Sequence, residues 1–324
     1  MRVGQKLKTA LGASVLGFAV LGVATGCVTN AATGKSSLNL ISQEKEIAIG
    51  TEAEPQFIAE NGGLVESQKL RDYVSKLGHE LAAVSERPDL PWNFNVLNSA
   101  QINAFALPGG KVFMSRGLLE KMTNEAQLAG VLGHEVGHVT AQHVNSRMSQ
   151  ALIIQGIAIG ASVAGEVADD DTLRVLGVGA GVGGGVYLLK FGRDQESESD
   201  ELGVRYMTRL GYNPIGQVQV MQILKEAAGN GSGPEFFATH PLPQTRIDRL
   251  QKLIAEEYPA AGRADADNDA YGTSDLYRFG EQSFRTNVLD ELKKLGPAKA
   301  AEVGPMLDRY LAAVHVCSEH GHAH

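Results

Sequence analysis

The chain has 324 residues, of which 43% are hydrophobic, and a formal net charge of −8 at pH 7. This length and hydrophobic fraction suit one elaborated domain, or one domain with a small addition, around a sizeable core. The acidic balance and the lack of a basic patch oppose nucleic-acid binding.

The first 26 residues have the pattern of a secretory signal peptide. Arg2, Lys6 and Lys8 precede a short apolar run from Leu11 to Ala24, and no acidic residue occurs among them. The run is too short and too rich in Gly and Ala to predict a membrane span. Removing these three positive charges changes the net charge from −8 to −11 in the mature chain.

The end of this segment, Ala24-Thr25-Gly26-Cys27, resembles the bacterial lipobox, in which the cysteine is lipidated and becomes the new N-terminus. We expect a lipid anchor at Cys27 and a flexible tether over residues 27–41. Val28 follows in place of the aspartate that retains such lipoproteins in the inner membrane. The resemblance therefore implies the periplasmic face of the outer membrane, with a soluble periplasmic protein as the alternative. With Cys27 lipidated, Cys317 is the only thiol left and no internal disulfide can form.

Two helices and a small sheet are predicted before the central motif of the chain. Ser42 can cap a first helix that carries Glu44 and Glu46 in its first turn. A second helix is predicted from Ser67 to Leu81, where apolar residues recur at helical spacing. A strand and the two arms of a hairpin are predicted next, at Phe94–Leu97, Ile102–Leu107 and Lys111–Ser115.

The segment His134-Glu135-Val136-Gly137-His138 carries the strongest chemical signal. At helical pitch the two histidines project from one face, one turn apart, where two imidazoles can share a Zn²⁺ ion. Glu135 lies beside them and can accept a proton from the water that the metal activates. The apolar neighbours Leu132 and Val136 predict a buried helix, in which unpaired imidazoles would be costly. The motif predicts a catalytic zinc site with one ion per chain.

A catalytic zinc site normally has three protein ligands, so a third must come from elsewhere. His143 lies nine residues after His134, and on a continuous helix it would point from the opposite side. A carboxylate is therefore expected. Glu166 is one candidate, but it stands alone between the Gly- and Ala-rich stretches of residues 151–189. Those stretches predict a helical hairpin near the site, because each half is shorter than the roughly 20 residues of a membrane helix.

The helical stretch Arg193–Gly203 offers several acids. Glu196 and Asp200 lie one turn apart and could face the metal together. The spacing places Glu198 and Glu201 on a different face, which we expect to be solvated. The spacing alone leaves the choice of ligand among these acids and Glu166 open.

Five sequence blocks resemble the HtpX and CAAX-prenyl-protease family of zinc endopeptidases (peptidase family forty-eight), close to its periplasmic lipoprotein branch. They occur in the family's order and span roughly residues 42–254. Ser199 stands where the family usually has alanine. The blocks are Asn103–Gly110, His134–His138, Arg193–Gly203, Gly211–Pro214, and His240-Pro241 with Arg246 after it.

The resemblance implies an α+β, mostly helical fold of the gluzincin metalloprotease type, with a small antiparallel sheet whose hairpin lies beside the motif helix. It implies Glu196 as the third zinc ligand and Asp200 as a partner that orients a ligand imidazole. His240 is expected to stabilise the oxyanion or to close the metal site as a latch. Arg246 is expected to brace this loop or to pair with an acid.

The predicted function is a zinc metalloendopeptidase that cleaves unfolded or misassembled envelope proteins in outer-membrane protein quality control. Substrate is expected to pair as an extended strand with an exposed edge at Asn103, Ala104, Phe105 and Ala106. The alternative is a lipoprotein chaperone or assembly factor that binds outer-membrane protein clients, with proteolysis secondary. Residues 42–257 are predicted to form the peptidase domain, and residues 258–324 an extension of unknown role with a His-rich tail.

Overall fold

The computed structural model describes residues 27–150, 191–229, 240, 243–261 and 276–298. The predicted signal peptide, the predicted helical hairpin of residues 151–189 and most of the C-terminal extension lie outside the described residues. Within those ranges, no helix combines the length and the apolar character that a bilayer crossing requires.

The described part of the chain is mostly helical, with a small sheet, which confirms the predicted fold class. The helices are α1 (Gln43–Glu60), α2 (Gln68–Ala83), α3 (Arg116–Leu119), α4 (Glu125–Thr140), α5 (Arg193–Arg209), α6 (Ile215–Gly229), α7 (Pro243–Glu257), α8 (Glu281–Phe284) and α9 (Asp290–Lys294). The strands are β1 (Cys27–Thr29), β2 (Ser36–Leu38), β3 (Asn93–Leu97), β4 (Ala104–Leu107) and β5 (Lys111–Ser115).

The central sheet has the strand order β3-β5-β4. Strands β4 and β5 form the predicted antiparallel hairpin, and its turn includes Gly109 and Gly110 with φ of 72° and 86°, a region that favours glycine. Strand β3 pairs with β5 in parallel, with Phe94 opposite Val112. The sheet is therefore mixed, because β3 adds a parallel pair to the antiparallel hairpin that the sequence predicts.

Helix α4 carries the histidine motif and is buried along almost its whole length, from Ala126 to Thr140. The side chain of Asn124 caps it by accepting a hydrogen bond from the backbone N–H of Gln127 at 3.0 Å. Helix α5 approaches α4 so closely that a Cβ added at Gly203 would lie 2.9 Å from the backbone nitrogen of His134. This contact between small residues brings the acidic helix beside the histidines.

The chain turns sharply after α4. Gln142 has φ of 58°, in the left-handed region, and a new helical segment covers residues 143–150. The turn returns His143 to the buried side of α4, where its Nδ1 lies 2.9 Å from Nδ1 of His138. The expectation that His143 continues the same helix and points away from the motif is wrong.

Residues 27–38 were expected to belong to a flexible tether, but they form a hairpin of β1 and β2 that packs on the domain. The side-chain amide of Asn30 donates to the carbonyl oxygen of Thr140 at 2.9 Å, so it satisfies one of the carbonyls that the end of α4 leaves open. Lys35 pairs with Glu198 of α5 at 2.5 Å. The N-terminal hairpin thus contacts both helices that carry the candidate site.

Candidate metal centre

Helix α4 places the two motif histidines as their spacing predicts. Nε2 of His134 and Nε2 of His138 face one another at 3.0 Å, and both rings are buried. Glu135 is buried beside them, and no described residue makes a hydrogen bond to either of its carboxylate oxygens. A buried carboxylate without such bonds is unusual in a folded protein, and it indicates a group that another molecule completes.

Glu196, in the first turn of α5, faces the same point. Its carboxylate oxygens lie 3.5 Å from Nε2 of His138 and 3.7 Å from Nε2 of His134. His240 reaches the cluster from the segment before α7, with Nδ1 2.8 Å from Glu196 Oε1 and 3.5 Å from Nε2 of His134. The four donors all lie within 4.8 Å of one another.

This donor set fits a zinc ion. Four ligand atoms placed about 2.0–2.2 Å from one tetrahedral ion lie roughly 3.3–3.6 Å apart, and imidazole and carboxylate are ligands that zinc accepts. The contacts of His134 with His138, Glu196 and His240, and those of Glu196 with His138 and His240, run from 2.8 to 3.7 Å. None of these side chains, nor that of Glu135, is more than 1% exposed. Such a buried group of donors is stable only when its charges and lone pairs are shared.

Two further buried residues surround the donors. Asp200 Oδ1 lies 3.0 Å from Nδ1 of His134, on the side of the ring that faces away from the cluster. Arg246 of α7 donates to both carboxylate oxygens of Asp200, at 2.7 and 2.8 Å, and its guanidinium lies 2.6 Å from Glu196 Oε2. Arg246 therefore pairs with two acids. Pairing with an acid is one of the two roles expected for it from the sequence.

The electrostatic environment separates the acids of the site. Burial raises the pKa of Glu135, which favours a group able to accept and return a proton. Burial also opposes ionisation of Glu196, but the charges of His240 and Arg246 outweigh it and hold the pKa of that carboxyl well below its usual range. Burial lowers the pKa of His138 strongly, so its ring is neutral and suited to bind a metal.

The predicted substrate strand lies at one edge of the sheet, since β4 is the outer strand in the order β3-β5-β4. Ala104 is buried, and Phe105 packs its ring against Phe57 and Phe113 at centroid distances of 4.3 and 5.1 Å. Ala106 is half-buried, and Asn103 precedes the strand. The backbone edge of β4 thus lies on the hairpin that packs against α4.

Three residues of the site were not predicted from the sequence. His143 and Glu198 form a hydrogen-bonded pair, with His143 Nε2 2.9 Å from Glu198 Oε2, so the expectation that Glu198 is solvated is wrong. Phe191 stacks on the ring of His138 with centroids 3.9 Å apart. His143 and Glu198 were missed because the sequence does not predict the turn at Gln142. The residues around Phe191 in the sequence give no sign of its contact with His138. Glu201, by contrast, is exposed as expected and pairs with Arg249 at 2.9 Å.

Two predicted positions fall at the limits of the described residues. Cys27, the expected lipidation site, begins β1, and its side chain is outside the described part. Glu166, the other candidate ligand, lies outside the described residues, as does Pro241 after His240.

Comparison with known proteins bears on the same span. The profile of Peptidase family M48 matches residues 68–254, more than half of the chain and a range that contains every donor described above. The chain belongs to peptidase family M48. This membership confirms the family resemblance, and with it a metallopeptidase domain whose metal is zinc.

Individual relatives carry related names. The beta-barrel assembly-enhancing protease of Escherichia coli (strain K12) is 28% identical over 257 residues, which cover 75% of this chain and 52% of that protein. The protein of the same name from Yersinia pestis is 28% identical over 287 residues, or 86% of this chain and 59% of that protein. Mitochondrial metalloendopeptidase OMA1 of Schizosaccharomyces pombe is 30% identical over 185 residues, or 57% and 53%. The chain spans between half and three fifths of the length of these relatives.

Proposed function

We propose that the protein is a zinc-dependent endopeptidase that cleaves unfolded or misassembled envelope proteins. The observation that carries the proposal is the buried group of His134, His138, Glu196 and His240 with the carboxylate of Glu135 beside it. His134, His138 and Glu196 would hold the ion, and His240 would complete or release the fourth position. When bound, zinc acts as a Lewis acid that makes water a nucleophile at neutral pH and polarises a peptide carbonyl.

The residues of the chain supply the proton transfers. Glu135 accepts the proton of the attacking water, because its carboxylate lies beside the donors, with Oε1 3.9 Å from Nε2 of His240, and because burial raises its pKa above that of an exposed glutamate. It then returns the proton to the leaving amine. Asp200 fixes His134 by accepting from its Nδ1–H, and Arg246 keeps Asp200 and Glu196 ionised and in place.

The geometry supports two roles for His240. As a fourth donor it would occupy the position that a substrate carbonyl needs, and the complete burial of the cluster is consistent with this closed arrangement. Displaced by substrate, it would donate a hydrogen bond to the oxyanion. Both roles place the same side chain at the reacting atoms, in the closed and in the open state.

Substrate selection follows from the edge strand. An extended peptide that pairs with β4 would be recognised through its backbone, so unfolded segments would bind regardless of most side chains. The names of the bacterial relatives refer to beta-barrel assembly, which supports envelope proteins as the substrate class. The signal-peptide and lipobox patterns support lipid anchoring at Cys27 and a position at the periplasmic face of the outer membrane.

The replacement Glu135→Gln tests the proposal. The variant should keep stoichiometric zinc but lose casein hydrolysis by at least about 100-fold, since general-base catalysis contributes roughly 10²–10⁴-fold. Metal analysis and a casein digestion are run on the same preparations, with Glu201→Gln, an exposed acid of α5, as the control that retains activity. Full casein hydrolysis by Glu135→Gln would refute the mechanism. Complementation of a deletion strain by the inactive variant would instead favour a role in client binding.

A further inference from the structure

Each motif histidine turns one ring nitrogen toward the donor cluster and the other away from it. For His134 the outer nitrogen, Nδ1, faces the carboxylate of Asp200. For His138 the outer nitrogen faces a second imidazole, Nδ1 of His143, at 2.9 Å. The far side of the His143 ring, Nε2, faces Glu198 Oε2 at 2.9 Å. One histidine therefore has a carboxylate partner directly, and the other has one through an intervening ring.

The hydrogen-bond partners determine which ring nitrogens of His138 and His143 carry protons. His138 binds through Nε2 if it serves the cluster, so its neutral ring carries the proton on Nδ1 and donates it to His143. His143 must then accept at Nδ1 and carry its own proton on Nε2, where the carboxylate of Glu198 accepts it. Both rings can therefore be neutral. His138 Nδ1 donates to His143 Nδ1, and His143 Nε2 donates to Glu198.

We propose that His143 is a positioning residue of the metal centre, which fixes the tautomer and the orientation of His138 and is itself fixed by Glu198. The inference rests on the zinc site proposed above. His143 does not touch substrate or metal; it acts through His138, as carboxylates act on the ligand histidines of other zinc sites.

The local structure is built to hold this ring. The left-handed turn at Gln142 ends α4 and brings His143 back beside it, so that His143 is only 3% exposed. Phe191 covers both rings, with centroid distances of 3.9 Å to His138 and 6.2 Å to His143. Hydrogen bonds at such a buried position are stronger than in water, and breaking one leaves a buried donor unsatisfied.

The series of contacts from His138 through His143 to Glu198 ends at the protein surface. Glu198 Oε1 accepts from Lys35 at 2.5 Å, and Lys35 belongs to the N-terminal hairpin. This last pair is exposed on the lysine side and contributes little by itself. A second polar group, Ser199 Oγ, lies 3.5 Å from His143 Nδ1, farther than the ring of His138. The shorter contact identifies His138 as the main partner of that nitrogen.

The first test measures zinc affinity by competition with a chelator in wild type, His143→Leu and His143→Asn, with one control variant. His143→Leu removes both hydrogen bonds, and zinc should bind about 10–100-fold more weakly, the usual effect of losing such a partner. His143→Asn keeps an acceptor close to the Nδ1 position and should recover part of this loss. His79→Leu is the matched control, since His79 is exposed on α2 and bonds within its own helix.

The second test reads the tautomers directly by ¹⁵N NMR of histidine-labelled wild type with and without zinc. The proposal requires the proton of His143 on Nε2 and that of His138 on Nδ1. The reverse tautomer for His143 would overturn it. So would His143→Leu with zinc affinity equal to that of wild type. If His143→Leu does not fold, Glu198→Ala, at a half-buried site, takes its place and should also weaken zinc binding; an unchanged affinity overturns the inference.

The failures of the two proposals are distinguishable. Wild-type protein that binds no zinc would overturn the metal centre and this inference with it. Zinc binding and casein hydrolysis that persist unchanged in His143→Leu would overturn the role of His143 alone and leave the proposed function intact.

Discussion

Arg246 shows how a single residue can hold together a site made of like charges. Its guanidinium is buried and lies between Asp200 and Glu196, two carboxylates that would otherwise repel each other in a region of low dielectric constant. The planar group matches carboxylate geometry and stays charged at any relevant pH, which a lysine would not guarantee when buried. Arg246 thus stabilises the acids before any metal binds.

Replacing Arg246 by methionine should therefore destabilise the metal-free protein by about 3–5 kcal/mol, because it removes the buried cation that lies between the two buried carboxylates. Urea unfolding in the presence of a chelator measures this change. Arg249→Met is the matched control on the same helix: Arg249 and Glu201 are more than half exposed, and their pair contributes no more than about 1 kcal/mol. Equal effects of the two replacements would contradict the argument.

The residues of the site differ in how far the sequence could reveal them. His134, Glu135 and His138 follow from helical spacing alone. Glu196 could not be separated from its neighbouring acids by spacing, since several of them share one amphipathic stretch, and only the family resemblance selected it. His143 was missed because the prediction assumed an unbroken helix, and one residue in a left-handed conformation changes the direction of everything after it.

At the scale of elements, the site depends on how closely α4 and α5 approach. Small residues line the contact: a Cβ at Gly133 would lie 3.1 Å from the carbonyl oxygen of Gly203, and one at Gly137 would lie 3.1 Å from Ser199 Cα. Without side chains between them, the backbones can approach so that a carboxylate of α5 reaches the histidines of α4. The sequence predicts both helices, but their distance is set by this long-range contact.

Gly203→Ala should disturb this contact. The added methyl group would lie 2.9 Å from the backbone nitrogen of His134, so one helix must shift. We expect the free energy of unfolding to fall by about 1–3 kcal/mol, as for other overpacked sites, with weaker zinc binding because Glu196 moves relative to the histidines. Chemical denaturation and chelator competition measure the two effects. Gly296→Ala, with no atom within 4 Å of the new Cβ, should change neither. A free energy of unfolding equal to that of wild type in Gly203→Ala would show that α4 and α5 do not pack as closely as described.

The sheet was predicted less completely than the helices. The β4–β5 hairpin could be read from its turn residues because it is local in sequence. The parallel pairing of β3 with β5 could not, since it joins Asn93–Leu97 to Lys111–Ser115 across the whole hairpin. The packing of the N-terminal hairpin was not predicted for the same reason, since its contact between Asn30 and Thr140 joins residues 110 positions apart in the sequence.

Across the whole molecule, the half-buried Tyr73 and the buried Tyr206 connect the helices around the site. Tyr73 of α2 donates to Glu125 at the start of α4. Tyr206 of α5 contacts Thr140 at the end of α4 and also donates to Glu86. Helix α4 is thus tied at both ends to neighbouring elements through neutral phenols. The position of the metal motif depends on these bonds as well as on apolar packing.

Tyr73, Tyr206 and a third tyrosine, Tyr212, predict how the stability of the protein changes at alkaline pH. Burial raises the pKa of Tyr212 to about 12 from an ordinary value of 10, and burial together with a neighbouring carboxylate raises the pKa of Tyr73 and of Tyr206 further. A group whose pKa is higher in the folded state stabilises the fold fully below its unfolded pKa and loses that contribution as the pH rises through the folded one. Stability should therefore decline above pH 10. Tyrosinate absorbance of native protein should titrate later than that of urea-unfolded protein, and Tyr212→Phe should remove part of the late change. Superimposable native and unfolded titration curves would show that the phenols are open to solvent and do not secure α4.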